Sequence, residues 1–184
     1  MQPTAELFTE KAWAAVVSAQ QLAQNQRHQQ IETEHVLLAL LQQNGLASRI
    51  LDKAGVSPPG LETSVERHLQ QLPALQSRPD SVYLGKGLSD LLDRADTLKQ
   101  GYGDSYISVE HLLLALADDP RCGRQLLSQA GADSTSLKTA IDAVRGSQTV
   151  TDQNPEGTYE SLEKYGRDLT AAARDGKLDP VIGR

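Results

Sequence analysis

The sequence is poor in the residues that carry most protein chemistry. Among its 184 residues there are one cysteine, one tryptophan and four histidines, and aromatic residues make up only 4%. Cys122 permits no internal disulfide, and with the scattered histidines it completes no zinc site of usual spacing. We therefore expect no bound metal and no disulfide, and a reducing cytoplasm is the simplest compartment.

Long apolar runs and basic clusters are also absent. Apolar runs such as 36–41 and 112–117 are far shorter than the roughly 20 residues of a membrane-spanning helix. The net charge is −6, and no series of Lys or Arg offers a stripe that neutralises several phosphates in register. Residues 1–8 lack the basic and then apolar pattern of a secretory signal. Membranes and nucleic acids are therefore poor candidate partners.

The motifs of common enzyme chemistry are missing as well. A phosphate-binding loop needs Gly, four residues, Gly-Lys and then Ser or Thr, and Gly85-Lys86-Gly87 lacks that spacing. This short segment instead predicts a turn before a helix. No Gly-x-Ser-x-Gly turn exposes a nucleophile, and Cys122 has no histidine beside it in sequence. We expect no catalytic site in this chain.

Two Glu-His pairs, at 34–35 and 110–111, suggest either acid–base chemistry or a structural role. Each glutamate falls in the first turn of a predicted helix, where a carboxylate meets unpaired amides and the positive end of the helix dipole. The histidines lack the His-Glu-x-x-His spacing that places two metal ligands on one helical face. The structural role is the stronger interpretation.

An internal duplication organises the chain. A shift of 76 positions aligns Ile-Glu-Thr-Glu-His-Val-Leu-Leu-Ala-Leu at 31–40 with Ile-Ser-Val-Glu-His-Leu-Leu-Leu-Ala-Leu at 107–116. Two repeats are too few for an open solenoid, which needs about three or more. We predict an all-α fold in which two pseudo-symmetric four-helix repeats, about 9–72 and 85–145, pack into one globule.

The residue pattern predicts the same four helices in each repeat. The first is amphipathic, and Thr9 is placed to cap it in repeat one. The second begins near Thr33 or Val109 and is apolar nearly all round, so it should be the buried centre. The third is short and ends at Gly55 or Gly131, because glycine most easily adopts the left-handed C-terminal cap. A fourth amphipathic helix closes each repeat.

A polar, unpatterned segment follows the second repeat. Residues 147–158 have the composition of a linker. A short amphipathic helix with Leu162, Tyr165 and Leu169 comes next. We expect one domain over 1–146, a linker over 147–158, and in 159–184 the beginning of a further domain that this chain does not complete.

Three segments carry a family resemblance. They are Phe8-Thr-Glu-Lys-Ala-Trp13, the doubled Glu-His-Val/Leu-Leu-Leu-Ala-Leu, and Leu162-Glu-Lys-Tyr-Gly-Arg-Asp-Leu-Thr170 with Gly176-Lys-Leu-Asp-Pro-Val-Ile-Gly-Arg184. Through them nearly the whole chain resembles the Clp family of AAA+ chaperones, and most closely the ClpB-type disaggregases.

The resemblance implies a Clp repeat N-domain followed by the opening of the first AAA+ ATPase module. Val181 and Ile182 would lie against adenine in the full-length protein, which would be a homohexamer using ATP and Mg. The chain itself would hold no cofactor and hydrolyse no ATP. It would bind unfolded or aggregated proteins for refolding after stress, and an Hsp70-type chaperone system would be a further partner.

The resemblance also implies a substrate-binding site. Its positions in this sequence are Thr9, Leu92, Asp104, Glu110 and His111, with an apolar groove around Leu92 and His111. The family often carries leucine at the last position, so His111 departs from an apolar pattern. From the residues alone, Thr9 is equally well explained as a helix cap and Asp104 as a loop acid.

Two other functions stay open at this point. The chain is expected either to recruit unfolded protein or to dock a folded adaptor, as the N-domains of protease-linked Clp unfoldases do. An isolated helical enzyme is a third alternative, and the missing catalytic motifs argue against it.

Overall fold

Eight α-helices form the two repeats within residues 1–160, the part of the chain that a computed structural model describes. Four belong to each repeat, which confirms the predicted fold. A short 3-10 helix, Ala5–Leu7, precedes them. The α-helices are α1 (Glu10–Asn25), α2 (Thr33–Gln42), α3 (Leu46–Lys53), α4 (Pro58–Gln70), α5 (Lys86–Gly101), α6 (Val109–Leu116), α7 (Gly123–Gln129) and α8 (Ser134–Arg145).

Local chemistry sets the helix ends. Thr9 Oγ1 accepts a hydrogen bond from Ala12 N at 3.2 Å, so the predicted N-cap of α1 is present. Gly55 and Gly131, which follow α3 and α7, adopt φ values of 86° and 101°. These left-handed conformations suit glycine because it has no Cβ.

The second helix of each repeat forms the centre of the fold. Every residue of 33–41 in α2 and of 109–116 in α6 is buried. Fully burying each large aliphatic side chain contributes about 1.5–3 kcal/mol, so these two helices supply much of the hydrophobic stabilisation. The two helices also contact each other, and one apolar core therefore spans both repeats.

Two short parallel pairings join the repeats and reveal a pseudo-two-fold relation. Strand β1 (Gln30–Ile31) pairs with β2 (Tyr83–Leu84), with Ile31 opposite Leu84. Phe8 and Ile107 form a second parallel bridge. The 76-residue shift relates Phe8 to Leu84 and Ile31 to Ile107, so the two pairings are equivalent. In each pairing, the segment before the first helix of one repeat pairs with the segment before the second helix of the other repeat. Each pairing is too short to leave a strand pattern in the sequence.

The residues after α8 turn back onto the repeats. Val150, Glu156 and Tyr159 are each no more than 1% exposed, and 155–160 are helical. Linker composition predicts exposure here, but three buried side chains fix the described part of this segment against the domain. The predicted helix with Leu162, Tyr165 and Leu169, and the positions Val181 and Ile182, lie outside the described residues.

Candidate functional site

Residues 148–159, here called the strap, cover the N-terminal ends of α1 and α6. Val150 N donates a hydrogen bond to Asp104 Oδ1 at 2.8 Å. Glu10 N donates to the carbonyl of Gln153 at 2.8 Å, and Ser105 N donates to the carbonyl of Val150 at 2.8 Å. The strap is thus held largely through its main chain.

Glu156 anchors the strap with its side chain. Its Oε2 accepts hydrogen bonds from Thr9 Oγ1 at 2.5 Å and from Val109 N at 3.0 Å. Val109 is the first residue of α6, so the carboxyl group meets the positive end of a helix. Burial nevertheless raises the pKa of Glu156 to about 7, because these two bonds offset the lost hydration only in part.

The corresponding place in the first repeat explains why the strap carries a carboxyl group here. Glu32 occupies the position equivalent to Ser108, and Gly85 the position equivalent to Thr9. The Glu32 carboxyl group lies where a side chain on Gly85 would begin. In the second repeat the short side chain of Ser108 leaves that space to Thr9 and Glu156.

Asp104 connects the strap to the core. Its two oxygens accept hydrogen bonds from Arg145 at 2.7 and 2.8 Å, and His111 Nε2 lies 2.7 Å from Oδ2. Burial alone would raise the pKa of Asp104, but the bonds from His111, Arg145 and the amide of Val150 hold it well below its usual range. Asp104 is therefore an ionised, fully engaged carboxylate.

Unpartnered polar atoms gather beneath the strap. Among the described residues, neither oxygen of Glu110 accepts a hydrogen bond, although Arg145 NH1 lies 3.5 Å from its Oε2. The Tyr159 hydroxyl and Glu156 Oε1 also lack partners there. Each such buried group costs about 1–3 kcal/mol, so the closed strap is an imperfect contact.

All five predicted substrate-binding residues are buried. The structure gathers Thr9, Asp104 and Glu110 under or beside the strap, with exposed fractions of 0%, 7% and 1%. His111 does not line an open groove. Its Nδ1 accepts from the amide of Ser108 at 2.9 Å, which closes the capping box of α6. Leu92 is a fully buried core residue of α5.

Arg145 and Glu156 belong to this site but were not predicted. Their partners lie 41 and 147 residues away, in Asp104 and Thr9. Periodicity marks faces of single helices and gives no signal for such contacts.

A second polar cluster surrounds Glu34. Arg121 donates to both of its oxygens, at 2.8 and 3.2 Å, and His68 Nε2 lies 3.0 Å from Oε2. Burial would raise the pKa of Glu34, but the hydrogen bonds and charge of Arg121 lower it. Glu34 lies in a first helical turn, as predicted, yet its main partner is an arginine from the other repeat.

Cys122 lies beside Glu34, and burial together with that carboxylate raises the pKa of its thiol. Glu34, His68 and Cys122 hold their ligating atoms within 4.8 Å of one another. The three positions are spread over 89 residues, so inspection of spacing missed them. No helix among residues 1–160 combines the length and apolarity of a membrane span.

Comparison with known proteins shows the family of the chain and similar folds. Residues 7–124 match the Clp repeat (R) N-terminal domain family. The whole chain is 72% identical to chaperone protein ClpB 1 of Parasynechococcus marenigrum and 54% identical to ClpB 2 of Synechocystis, and spans 21% of each relative. The fold is similar to the Hsp104 N-terminal domain from Candida albicans, with a TM-score of 0.74 and 28% identity over 81% of this chain and 98% of that one.

Proposed function

Because the chain belongs to the Clp repeat N-terminal domain family, as the N-terminal region of a ClpB chaperone, we propose that it captures unfolded or aggregated protein for a disaggregase motor. The strap is the observation that carries this proposal. It is a segment without regular structure over 148–154, held largely through its main chain, over residues expected to bind substrate. Recognition through the main chain tolerates many sequences, as a receptor for unrelated unfolded chains requires.

An unfolded client would take the place of the strap. Its carbonyl groups would accept hydrogen bonds from the amides of Glu10 and Ser105, which now bind the strap. Thr9, Asp104 and Glu110 form the polar floor of the proposed seat. His111 lies behind this floor in contact with Asp104, and Leu92 is a core residue of α5, so neither would contact the client directly.

Such a seat binds weakly, which suits delivery to a motor. Burying about 400 Å² of apolar surface at about 25 cal/mol per Å² supplies roughly 10 kcal/mol. Association costs of about 4–15 kcal/mol offset most of that gain. Several copies on one ring would raise the effective client concentration and restore useful affinity.

The chain spans about a fifth of the length of its ClpB relatives, so the properties of the whole protein are part of the proposal. We propose that residues 1–146 form a non-catalytic N-domain, that 147–158 form a linker which docks on this domain as the strap, and that 159–184 begin the first ATPase module. Val181 and Ile182 would contact adenine there. The full-length protein would be a cytoplasmic homohexamer that uses ATP and Mg and cooperates with an Hsp70-type system.

An NMR titration with a permanently unfolded protein tests the seat. We expect saturable shifts at the amides of Glu10, Ser105 and Val109, the three donors that now bind the strap. Amides of α4 around Ser64, whose hydroxyl only bonds within its own helix, serve as the control region.

The pattern of shifts distinguishes the alternatives. No saturable shift at high client concentration would overturn the proposal and favour docking of a folded adaptor. Shifts confined to another surface would keep client capture and reject this seat.

A further inference from the structure

Three ligating side chains from three helices meet where the two repeats touch. Glu34 lies in the first turn of α2, His68 in the last turn of α4, and Cys122 is the N-cap residue of α7. His68 Nε2 is 3.0 Å from Glu34 Oε2, and Cys122 Sγ is 3.6 Å from Glu34 Oε1. Zinc bonds of about 2.0–2.3 Å place tetrahedral ligands roughly 3.3–3.8 Å apart, so only small movements separate these atoms from coordination.

Nearby carboxylates and a surface pocket make the three side chains suited to binding a cation. The carboxylates of Glu32 and Glu34 share the guanidinium of Arg121, and Asp119 Oδ1 accepts a hydrogen bond from the Arg121 backbone amide at 3.3 Å, so three carboxylates gather close to one arginine. This excess of acidic groups favours binding of a divalent cation. A pocket of about 230 Å³ at the surface is lined by His68, whose side chain is 32% exposed, and by Cys122.

Asp119 holds the cysteine in place from a second layer. Its Oδ2 accepts hydrogen bonds from the amides of Cys122 and Gly123 at 3.2 and 2.9 Å. It also accepts from Thr33 Oγ1 at 2.7 Å, which ties this loop to the first repeat. Such outer hydrogen bonds orient the ligands of protein metal sites.

The other half of the molecule provides an internal comparison. The 76-residue shift places Glu110, Val144 and Leu46 at the positions equivalent to Glu34, His68 and Cys122. The glutamate is present in both halves, but the two flanking positions are apolar in one and metal-ligating in the other. Packing alone is therefore satisfied by apolar residues at these places.

We propose that Glu34, His68 and Cys122 form a zinc site that clamps the two repeats together. One nitrogen, one sulfur and one oxygen ligand favour zinc over magnesium or calcium. The pocket leaves the fourth position for water. Glu34 and His68 belong to the first repeat and Cys122 to the second, so the bound ion would crosslink them.

Titration of the 184-residue chain with Co²⁺ tests the site, because a cobalt–thiolate bond gives a near-ultraviolet charge-transfer band. We expect a band that saturates at one equivalent and disappears when Zn²⁺ is added. Cys122→Ser should abolish it, and His68→Gln should weaken Co²⁺ affinity at least tenfold. Gln125→Ala, at the rim of the same pocket, should change neither.

A stability measurement completes the test. Zn²⁺ should raise the Tm of the wild-type chain and leave that of His68→Gln almost unchanged, because only a ligand-bound folded state gains stability. His68 is partly exposed, so its substitution leaves the fold testable even if Cys122→Ser destabilises it. Absence of the band, or a band with equal Co²⁺ affinity in wild type and His68→Gln, overturns the proposal.

Discussion

His28 Nδ1 lies 2.9 Å from His35 Nε2 in the interior of the first repeat. His35 Nδ1 accepts from the amide of Glu32, so His35 carries its proton on Nε2 and donates it to His28. The shift of 76 relates this pair to Asp104 and His111 of the second repeat.

The two pairs differ in charge because their surroundings differ. Arg145 compensates Asp104, whereas the equivalent position in the first repeat holds the buried Leu69. In the first repeat the residue paired with the histidine is His28 instead of an aspartate, and burial favours the neutral form of both rings. Burial accordingly lowers the pKa of both, that of His35 to about 4.

Acid should therefore destabilise the first repeat through these histidines. The unfolded chain binds their protons near pH 6.5 and the folded chain only at lower pH, so the free energy of unfolding falls as the pH drops from about 6.5 towards 4. His35 alone accounts for roughly 3 kcal/mol. We expect His28→Gln to remove the His28 share of this loss in urea unfolding at pH 7, 6 and 5, because an amide oxygen accepts the His35 proton without titrating, while the His35 share remains. An unchanged slope would contradict the neutral pair.

Docking of the strap should weaken as the pH rises. The pKa of Glu156 is about 7 when docked and near 4.5 when free, so the docked state is favoured below pH 4.5 and loses its advantage by about tenfold per unit up to pH 7. Amide exchange at Val150 and Glu10 should therefore accelerate from pH 5 to 7 beyond its intrinsic increase. Glu156→Gln should remove this extra acceleration, since the amide accepts both hydrogen bonds and stays neutral. Identical pH dependence of exchange in the wild type and in Glu156→Gln would refute a role for Glu156 ionisation in strap docking.

Loosening the strap should strengthen client binding. Replacing Val150 and Tyr159 by alanine removes two buried side chains and about 2–5 kcal/mol of docking free energy. Because the seat is then open for a larger fraction of the time, the Kd for an unfolded protein should fall several-fold. Thr151→Ala, at an exposed strap position, is the matched control and should leave the Kd unchanged. Weaker binding by the double variant would mean that the strap contributes to the site.

Arg145 should be among the most sensitive positions of the domain. Arg145→Leu leaves the ionised Asp104 buried without its cation, and losing one partner of a buried pair costs about 3–5 kcal/mol. Urea unfolding measures this loss. Adding Asp104→Asn should recover part of it, because the remaining group is then neutral. A double variant less stable than Arg145→Leu would show that Asp104 has other essential partners.

The shared core should make both repeats unfold together. Leu113→Ala in the second repeat should cost about 2–5 kcal/mol, like Leu37→Ala at the equivalent position in the first. Trp13, the only tryptophan, reports on the first repeat through its packing against Phe8. We expect Leu113→Ala to lower the urea midpoint of Trp13 fluorescence and of circular dichroism equally. Separate midpoints would indicate two independent units.

The sequence predicted what is local and periodic. The 76-residue repeat, the caps at Thr9, Gly55 and Gly131, and the buried second helices all follow from spacing or from the conformational preference of one residue. The candidate site depends on contacts between residues that are far apart in the sequence. Glu156 reaches Thr9 across 147 residues, and this contact depends on how the assembled helices leave a space beside Ser108.

The pairings of Ile31 with Leu84 and of Phe8 with Ile107 follow the pattern of a symmetric assembly of two units. Halves that exchange equivalent segments about a two-fold axis have the geometry of a symmetric homodimer. A gene for one such unit would thus encode a self-associating protein, and tandem fusion of two copies would give the two-repeat domain. After fusion, the sequence of each repeat can change independently of the other. A homodimer would have to duplicate every change, whereas the fused molecule keeps one strap seat and one cysteine-containing cluster.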